Sequence, residues 1–347
     1  MTLLDEFVTA FGVWEEARPY LSWIVDEEEM RLVMALQSRS LCQATGLAAG
    51  ATVDEVAGLL GLAADQAAGL VQRAYARCIV DKVVEGDVVT YRPLSFYERL
   101  DHFAKYENWD DIPAQDRRVI NRRFLDEFIA RHRLTVTRKM QGLEAENSLP
   151  NDTVLLLSEV EEMIDAATHI AVQPCDCRRL GQNCDRPVET CISLDSVAVK
   201  ALDRGRGRPL SRDEAKELVR WADKKGLMHT SDGGWRTRGL YAICNCCACD
   251  CYPFRAAQEL GSKGVWPKSR YVAAHDQEQC NLCGACVKRC HFAAFYHGDS
   301  SVEVDGKAKR NVLFDPDRCW GCGLCANTCP SGAITMVLCA QQVRCQT

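Results

Sequence analysis

The sequence predicts an α+β chain of several domains, and three observations carry that reading. Helical periodicity with recognisable caps fills the first half, short β-branched runs closed by glycine turns interrupt it, and cysteine is concentrated in the second half. A chain of 347 residues suits two or three compact domains, and 47% hydrophobic content is enough for real cores. The expected divisions are a mostly helical domain over 1–100, a helical connector over 101–167, a cysteine-rich α+β unit over 168–275 and a last domain over 276–347.

In the first domain an acidic amphipathic segment includes Asp26, Glu27, Glu28 and Glu29. Thr52 and Glu55 then form a capping box ahead of Val56, Leu59 and Leu60, and Gly61 ends that short helix. A second helix is expected from Ala64 to Cys78. Ile79–Val84 and Val88–Tyr91 alternate on either side of Glu85-Gly86-Asp87, as the strands of a hairpin do. Helix, turn, helix and hairpin in this order resembles a winged helix. That resemblance implies either DNA reading by Gln66, Gln72, Arg73 and Arg77 or a protein-docking module. DNA is disfavoured, because the second helix opens with Asp65 and few long donors and the hairpin is more acidic than basic.

Through the connector, Ile120, Phe124 and Phe128 make one helical stripe beside Leu125 and Ile129. The arginines 117, 118, 122, 123, 131 and 133 are expected to form a solvated face with local acidic partners. Asn147–Asp152 reads as a turn, with Asn151 or Asp152 capping a helix from Val154 to Ala167. Farther on, Ser211 and Glu214 form another capping box for a helix to about Lys225, followed by a hairpin around Ser231–Gly234. Arg204-Gly-Arg-Gly-Arg208 reads as a flexible linker.

Of 21 cysteines, most stand as Cys-x-Cys, Cys-Cys or Cys-x2-Cys, too close together for unstrained disulfides within a patch. Such usage points to a reducing compartment, and with no basic, apolar leader at Met1 the expectation is a cytoplasmic protein without membrane insertion. The balance of 42 basic and 48 acidic residues gives a net charge of -6 and no general attraction to nucleic acid or anionic lipid.

Two patches lie in the middle unit. Cys175, Cys177, Cys184 and Cys191 fall within seventeen residues, and Arg178, Arg179 and Arg186 beside them would offset thiolate charge. A 4Fe-4S cluster, the third of the chain beside the two that the C-terminal runs below imply, is the favoured reading, with a zinc site or an oxidisable thiol switch as alternatives. Cys244, Cys246, Cys247, Cys249 and Cys251 put five thiols in eight residues. They supply either most of a fourth cluster or a thiolate to the centre on Cys175–Cys191, a strand's alternation making convergence difficult without a bend. Metal-free buried thiols are the remaining alternative. The lone thiols are Cys42, Cys78, Cys339 and Cys345, the first two expected in helix cores.

Near the C-terminus, Cys280-x2-Cys283-x2-Cys286-x3-Cys290 is followed by Cys319-x2-Cys322-x2-Cys325-x3-Cys329-Pro330. Over residues 276–337 this repeated spacing resembles the bacterial-type ferredoxin that holds two 4Fe-4S clusters. The resemblance implies interleaved ligands: Cys280, Cys283, Cys286 and Cys329 on one cluster, and Cys319, Cys322, Cys325 and Cys290 on the other. His291 stands where proline is usual in the first run, which is expected to loosen the backbone there. Residues 168–337 together look like multi-cluster iron-sulfur proteins of anaerobic bacteria, although Asp250 interrupts a cysteine string that is often fuller in that group.

These expectations converge on an iron-sulfur electron-transfer protein or oxidoreductase subunit, its partner a redox enzyme or an electron donor or acceptor protein. It is expected to work as a complex subunit or a homo-oligomer. No dinucleotide loop, phosphate loop or nucleophile elbow occurs in the sequence. Two other classes stay open: a reductase with an open cluster near Asp250, Tyr252, His229 and His275, and a redox-responsive DNA-binding regulator.

Overall fold

A computed structural model of the chain describes residues 3–41, 50–143, 149–304 and 307–339. Cys42, Cys345 and the start of the turn expected at Asn147 lie outside the described residues. The fold mixes helix and sheet and divides into two compact units. One comprises Met1–Phe124 with the short segments Arg179–Gly181 and Arg204–Arg206; the other holds the remainder.

In the first unit the elements form where their local signals lie. The Thr52–Glu55 capping box opens the helix Val53–Leu60, and Gly61 ends it with φ at 64°. The helix Ala64–Ala76 follows, then strands β1 (Val80–Glu85) and β2 (Val88–Pro93), paired antiparallel with Glu85 opposite Val88. A further capping box, Ser95 with Glu98, starts the helix Phe96–Tyr106. Trp14 meets Phe96 and Phe124 edge-on at 5.5 and 5.8 Å, and Tyr97 stacks on Phe124 at 3.9 Å. Such offset and edge geometries suit the charge distribution of aromatic rings.

Buried charge pins this unit. Arg99, 0% exposed, binds both carboxylate oxygens of Glu107 at 2.9 and 2.6 Å and donates to the Ile24 carbonyl. The tract expected to be a flexible linker is anchored instead. Arg204 donates to the carbonyls of Tyr75 and Val80, pairs with Asp81 at 2.8 Å and lies 4.1 Å over the Tyr75 ring. Composition made the tract look loose, but Arg206 is held as well, by the Ala76 carbonyl, between the bends at Gly205 and Gly207, both at positive φ.

The second unit is built on a six-stranded antiparallel sheet. Its strands are β3 (Thr153–Leu155), β4 (Ile170–Pro174), β5 (Glu189–Leu194), β6 (Arg208–Pro209), β7 (Met228–Ser231) and β8 (Ala242–Cys246), in the order β3-β7-β8-β5-β4-β6. One face buries Ile170, Val172, Ile192, Leu194 and Ile243 against Val160, Met163 and Ile164 of the helix Leu157–Ala166 and Val219 of the helix Arg212–Lys224. Because side chains alternate along a strand, the opposite face receives Cys191, Cys244 and Cys246.

Two local expectations are corrected here. Thr153–Leu155 is a strand, so the helix begins later, with Glu159 accepting from the Leu156 amide; neither Asn151 nor Asp152 caps it. No hairpin forms around Ser231–Gly234, because β7 pairs with β3 and β8 while Trp235–Arg238 is a helical turn. The sheet offered both edges of Met228–Ser231 better partners than Trp235–Thr237. The unit continues with β9 (Tyr271–His275), the hairpin β10 (Phe295–Val304) and β11 (Lys307–Phe314), and β12 (Ile334–Leu338), which pairs with β9.

Candidate metal centres

The two C-terminal cysteine runs fold alike. Gly284 at φ 69° leads into the helix Ala285–Arg289, which carries Cys286 and ends at Cys290; Gly323 at φ 77° leads into Leu324–Thr328, which carries Cys325 and ends at Cys329. Cys280, Cys283 and Cys286 of the first run and Cys329 of the second line one cavity. Cys290 of the first run is the cysteine felt electrostatically by Cys319, Cys322 and Cys325 of the second. The thiols therefore sort into two crossed sets of four. Backbone amides turn toward sulfur: Ala294 N–H donates to Cys290 Sγ at 3.2 Å and Gly321 N–H to Cys319 Sγ at 3.4 Å. N–H···S bonds of this kind tune cluster potential.

His291, expected to loosen the chain, ties it down. Its Nε2 lies 2.7 Å from the Gly226 carbonyl, which requires the Nε2–H tautomer, and burial lowers the pKa of the ring. Next to it Arg289 donates to the carbonyls of Asp223 and Lys224. Asp223 also binds Asn327 Nδ2 at 2.8 Å, so one buried carboxylate holds both short helices.

The middle cysteines form two groups, and neither matches a sequence patch. Six thiols adjoin one another in a ring, in which Cys191 neighbours Cys175, Cys175 neighbours Cys177, Cys177 neighbours Cys251, Cys251 neighbours Cys246, Cys246 neighbours Cys244 and Cys244 neighbours Cys191. Cys244 and Cys246, two residues apart on β8, share a face, so no bend is required for them to converge. Cys184 leaves its expected partners and lies 3.8 Å from Cys247; with Cys249 these sulfurs all fall within 4.8 Å of one another. Cys184 groups with Cys247 rather than with its neighbours in sequence because the backbone turns away after Gly181 and returns to the sheet only at β5.

Residues 279–333 match the family model of a 4Fe-4S dicluster domain. The chain thus carries a ferredoxin-like iron-sulfur domain. It is 33% identical over 79 residues to the polyferredoxin protein MvhB of Methanothermus fervidus, covering 22% of this chain and 19% of the relative. It is 27% identical over 115 residues to the indolepyruvate oxidoreductase subunit IorA of Pyrococcus horikoshii, covering 33% and 16%. MvhB of Methanothermobacter marburgensis matches at 34% over 62 residues, covering 17% and 15%. The chain therefore spans less than a fifth of the length of these relatives. No solved structure matches it. No helix among the described residues is long and apolar enough to cross a membrane.

In the dicluster domain, burial pushes the Cys286 thiol up to about 11 and Cys322 up to about 12, with Cys325 higher still. Burial also works on Cys329, but the Ser331 hydroxyl and the amides of Ser331, Ala333 and Ile334 more than offset it and bring that thiol down. Neutral thiols gathered in an apolar setting fit a group that binds as it displaces their protons. Of the three arginines expected beside the middle thiols, Arg178 alone faces them. Its burial opposes the charge, and Cys175, Cys191, Cys247 and Cys246 around it more than restore it. Arg178 is held by the Asn245 carbonyl and Thr190 Oγ1, whereas Arg179 pairs with Asp110 and Arg186 with the carbonyls of Lys225 and Gly226.

The residues of the expected reductase site have separate surroundings. His229 bonds Asn245 at 2.7 Å, Tyr252 packs on Phe128, His275 lies edge-on to Phe295, and Asp250 accepts from Asn183. Three of the four residues expected to read DNA are also engaged. Arg73 pairs with Glu28 at 2.6 Å, Arg77 with Glu29 and Glu107, and the Gln66 side chain accepts from the Ala63 amide.

Proposed function

We propose that this chain is an electron-transfer protein relaying single electrons through two 4Fe-4S clusters in its dicluster domain. Cys280, Cys283, Cys286 and Cys329 hold one cluster and Cys319, Cys322, Cys325 and Cys290 the other. The observation that carries this is the cavity bordered by three thiols of one run and the fourth thiol of the other. A third iron-sulfur centre draws its thiolates from the ring of Cys175, Cys177, Cys191, Cys244, Cys246 and Cys251.

The route between them is apolar and closely packed. Cys322 shares a core with Cys244, Cys246 and Cys251, along with Phe254, Phe292 and Trp320. Phe292 stacks on Trp320 at 4.7 Å and Phe254 meets the same ring edge-on at 5.1 Å. Electron tunnelling decays with distance and with empty space, so dense packing here favours exchange between the second cluster and the ring. The first cluster, whose Cys283 is exposed, then faces an outside redox protein. The names of the polyferredoxin and oxidoreductase-subunit relatives support a partner of that kind.

The first unit serves as a winged-helix-like docking module for protein rather than DNA. The support is that Arg73 and Arg77, the two arginines of the would-be reading helix, are already bound to carboxylates. The decisive experiment is an anaerobic iron and sulfide count with electron paramagnetic resonance on the reduced protein. About twelve iron atoms per chain are expected, and Cys283→Ala and Cys319→Ala should each abolish one signal and spare the other. Unchanged iron in both variants would overturn the ligand assignment.

A further inference from the structure

We infer that Cys184, Cys247, Cys249 and Asp250 form a separate mononuclear zinc site with three thiolate ligands and one carboxylate. Cys184 Sγ lies 3.8 Å from Cys247 Sγ and 3.4 Å from Asp250 Oδ2. A tetrahedral site with metal–sulfur bonds of about 2.3 Å and metal–oxygen bonds of about 2.0 Å has sulfur–sulfur edges of about 3.8 Å and sulfur–oxygen edges of about 3.5 Å. One edge of each kind is present here, both at Cys184; Asp250 stands outside the group of sulfurs within 4.8 Å of one another and closes the shell by turning toward Cys247 and Cys249 as the ion binds. Cys249 completes the sulfur set within the same 4.8 Å limit.

Asp250 supplies the second, independent observation. Its residue is 0% exposed, and its Oδ1 accepts from the Asn183 amide and Nδ2 at 3.2 and 2.6 Å. Oδ2 is turned the other way, onto the Cys184 thiol, and no lysine or arginine pairs with it among the described residues. A buried carboxylate without a cation is costly, and a divalent ion held by the three neighbouring thiols removes that cost.

The contrast with the other thiols fixes the class of metal. No three dicluster cysteines approach one another this closely among the described residues; they surround a cavity instead. The thiol ring holds six sulfurs, more than one tetrahedral ion takes. Three sulfurs with one hard oxygen make a single closed shell of the kind zinc accepts. Cys247 is buried beside Ala222 and Leu227, which keeps water from the inner side of the site. This inference stands apart from the electron-relay reading, since neither needs the other.

The test is elemental analysis of the full-length protein, expressed with added zinc, purified without oxygen and dialysed against a chelator. About one zinc per chain is expected, with an X-ray absorption shell of three sulfurs and one oxygen. Cys249→Ser and Asp250→Ala should lower retained zinc at least tenfold while iron content and the dicluster resonance stay unchanged, which also reports folding. Asp250→Cys should keep the zinc and change the shell to four sulfurs. Absence of zinc from the unsubstituted protein, or a fall of about four iron atoms in Cys249→Ser, would overturn the assignment.

Discussion

At the scale of single residues, the buried ion network of the first unit shows why a charge can be structural. Arg99 has no exposure, and its partner Glu107 is kept ionised against the upward pull of burial by Arg99 and Arg77. Removing Arg99 strands that carboxylate, so Arg99→Ala should cost about 3–5 kcal/mol in a urea titration of the first unit's unfolding, because the partner charge stays buried. His102 behaves oppositely. Burial, then the nearby charge of Arg99, pushes its pKa down to about 2, so its 3.8 Å approach to Glu107 is not an ion pair at neutral pH. The unfolded state takes up a proton on this ring below about pH 6.5 while the folded state does not, so the contribution is complete above that pH and is lost on acidification. Stability should fall by up to about 1.4 kcal/mol per pH unit between pH 6.5 and 5.5, and His102→Gln should flatten that slope.

At the scale of elements, glycine positions decide whether the cysteine loops close. Gly321, between Cys319 and Cys322, has φ at 69°, and a Cβ there would stand 2.2 Å from the Tyr271 carbonyl oxygen of β9. Gly321→Ala should therefore push the loop off the strand and remove the resonance of the second cluster while sparing the first. An intact pair of signals would show that β9 yields instead. Caps act more gently. Ser211 accepts from the Glu214 amide and Glu214 returns the bond, so Ser211→Ala should lower the melting free energy of the second unit by about 1 kcal/mol.

At the scale of the whole molecule, one sheet of the second unit gathers thiols from distant parts of the chain. Cys191 on β5 and Cys244 and Cys246 on β8 project from the face opposite the apolar helix-packed side, and Cys175 and Cys251 stand at the N-terminal ends of the helices Asp176–Gly181 and Tyr252–Leu260. The aromatic cluster around Trp320 packs in one core with Cys244, Cys246 and Cys322. Trp320→Leu should leave the iron content intact and slow the reduction of the ring centre by a reduced dicluster domain, measured by freeze-quench resonance. Equal rates would remove the aromatic cluster from the route.

The sequence alone was enough for the dicluster domain, because there the ligand spacing is local: x2 and x3 intervals fix which sulfurs a single loop presents, and the same intervals recur in both runs. The Thr52–Glu55 and Ser211–Glu214 caps and the hairpin of β1 and β2 were legible for the same reason, each being a signal a few residues long. The middle thiols were not, since Cys191 meets Cys244 through strand pairing and Cys184 meets Cys247 through a chain reversal, neither of which is written in any short interval. The strand at Thr153–Leu155 and the anchored arginine of Arg204 were hidden likewise, one needing the edge of β7 and the other the carbonyls of Tyr75 and Val80. Local chemistry singled out the thiols, and long-range backbone pairing chose their companions, because hydrogen-bond register depends on the partner strand as much as on the residues themselves.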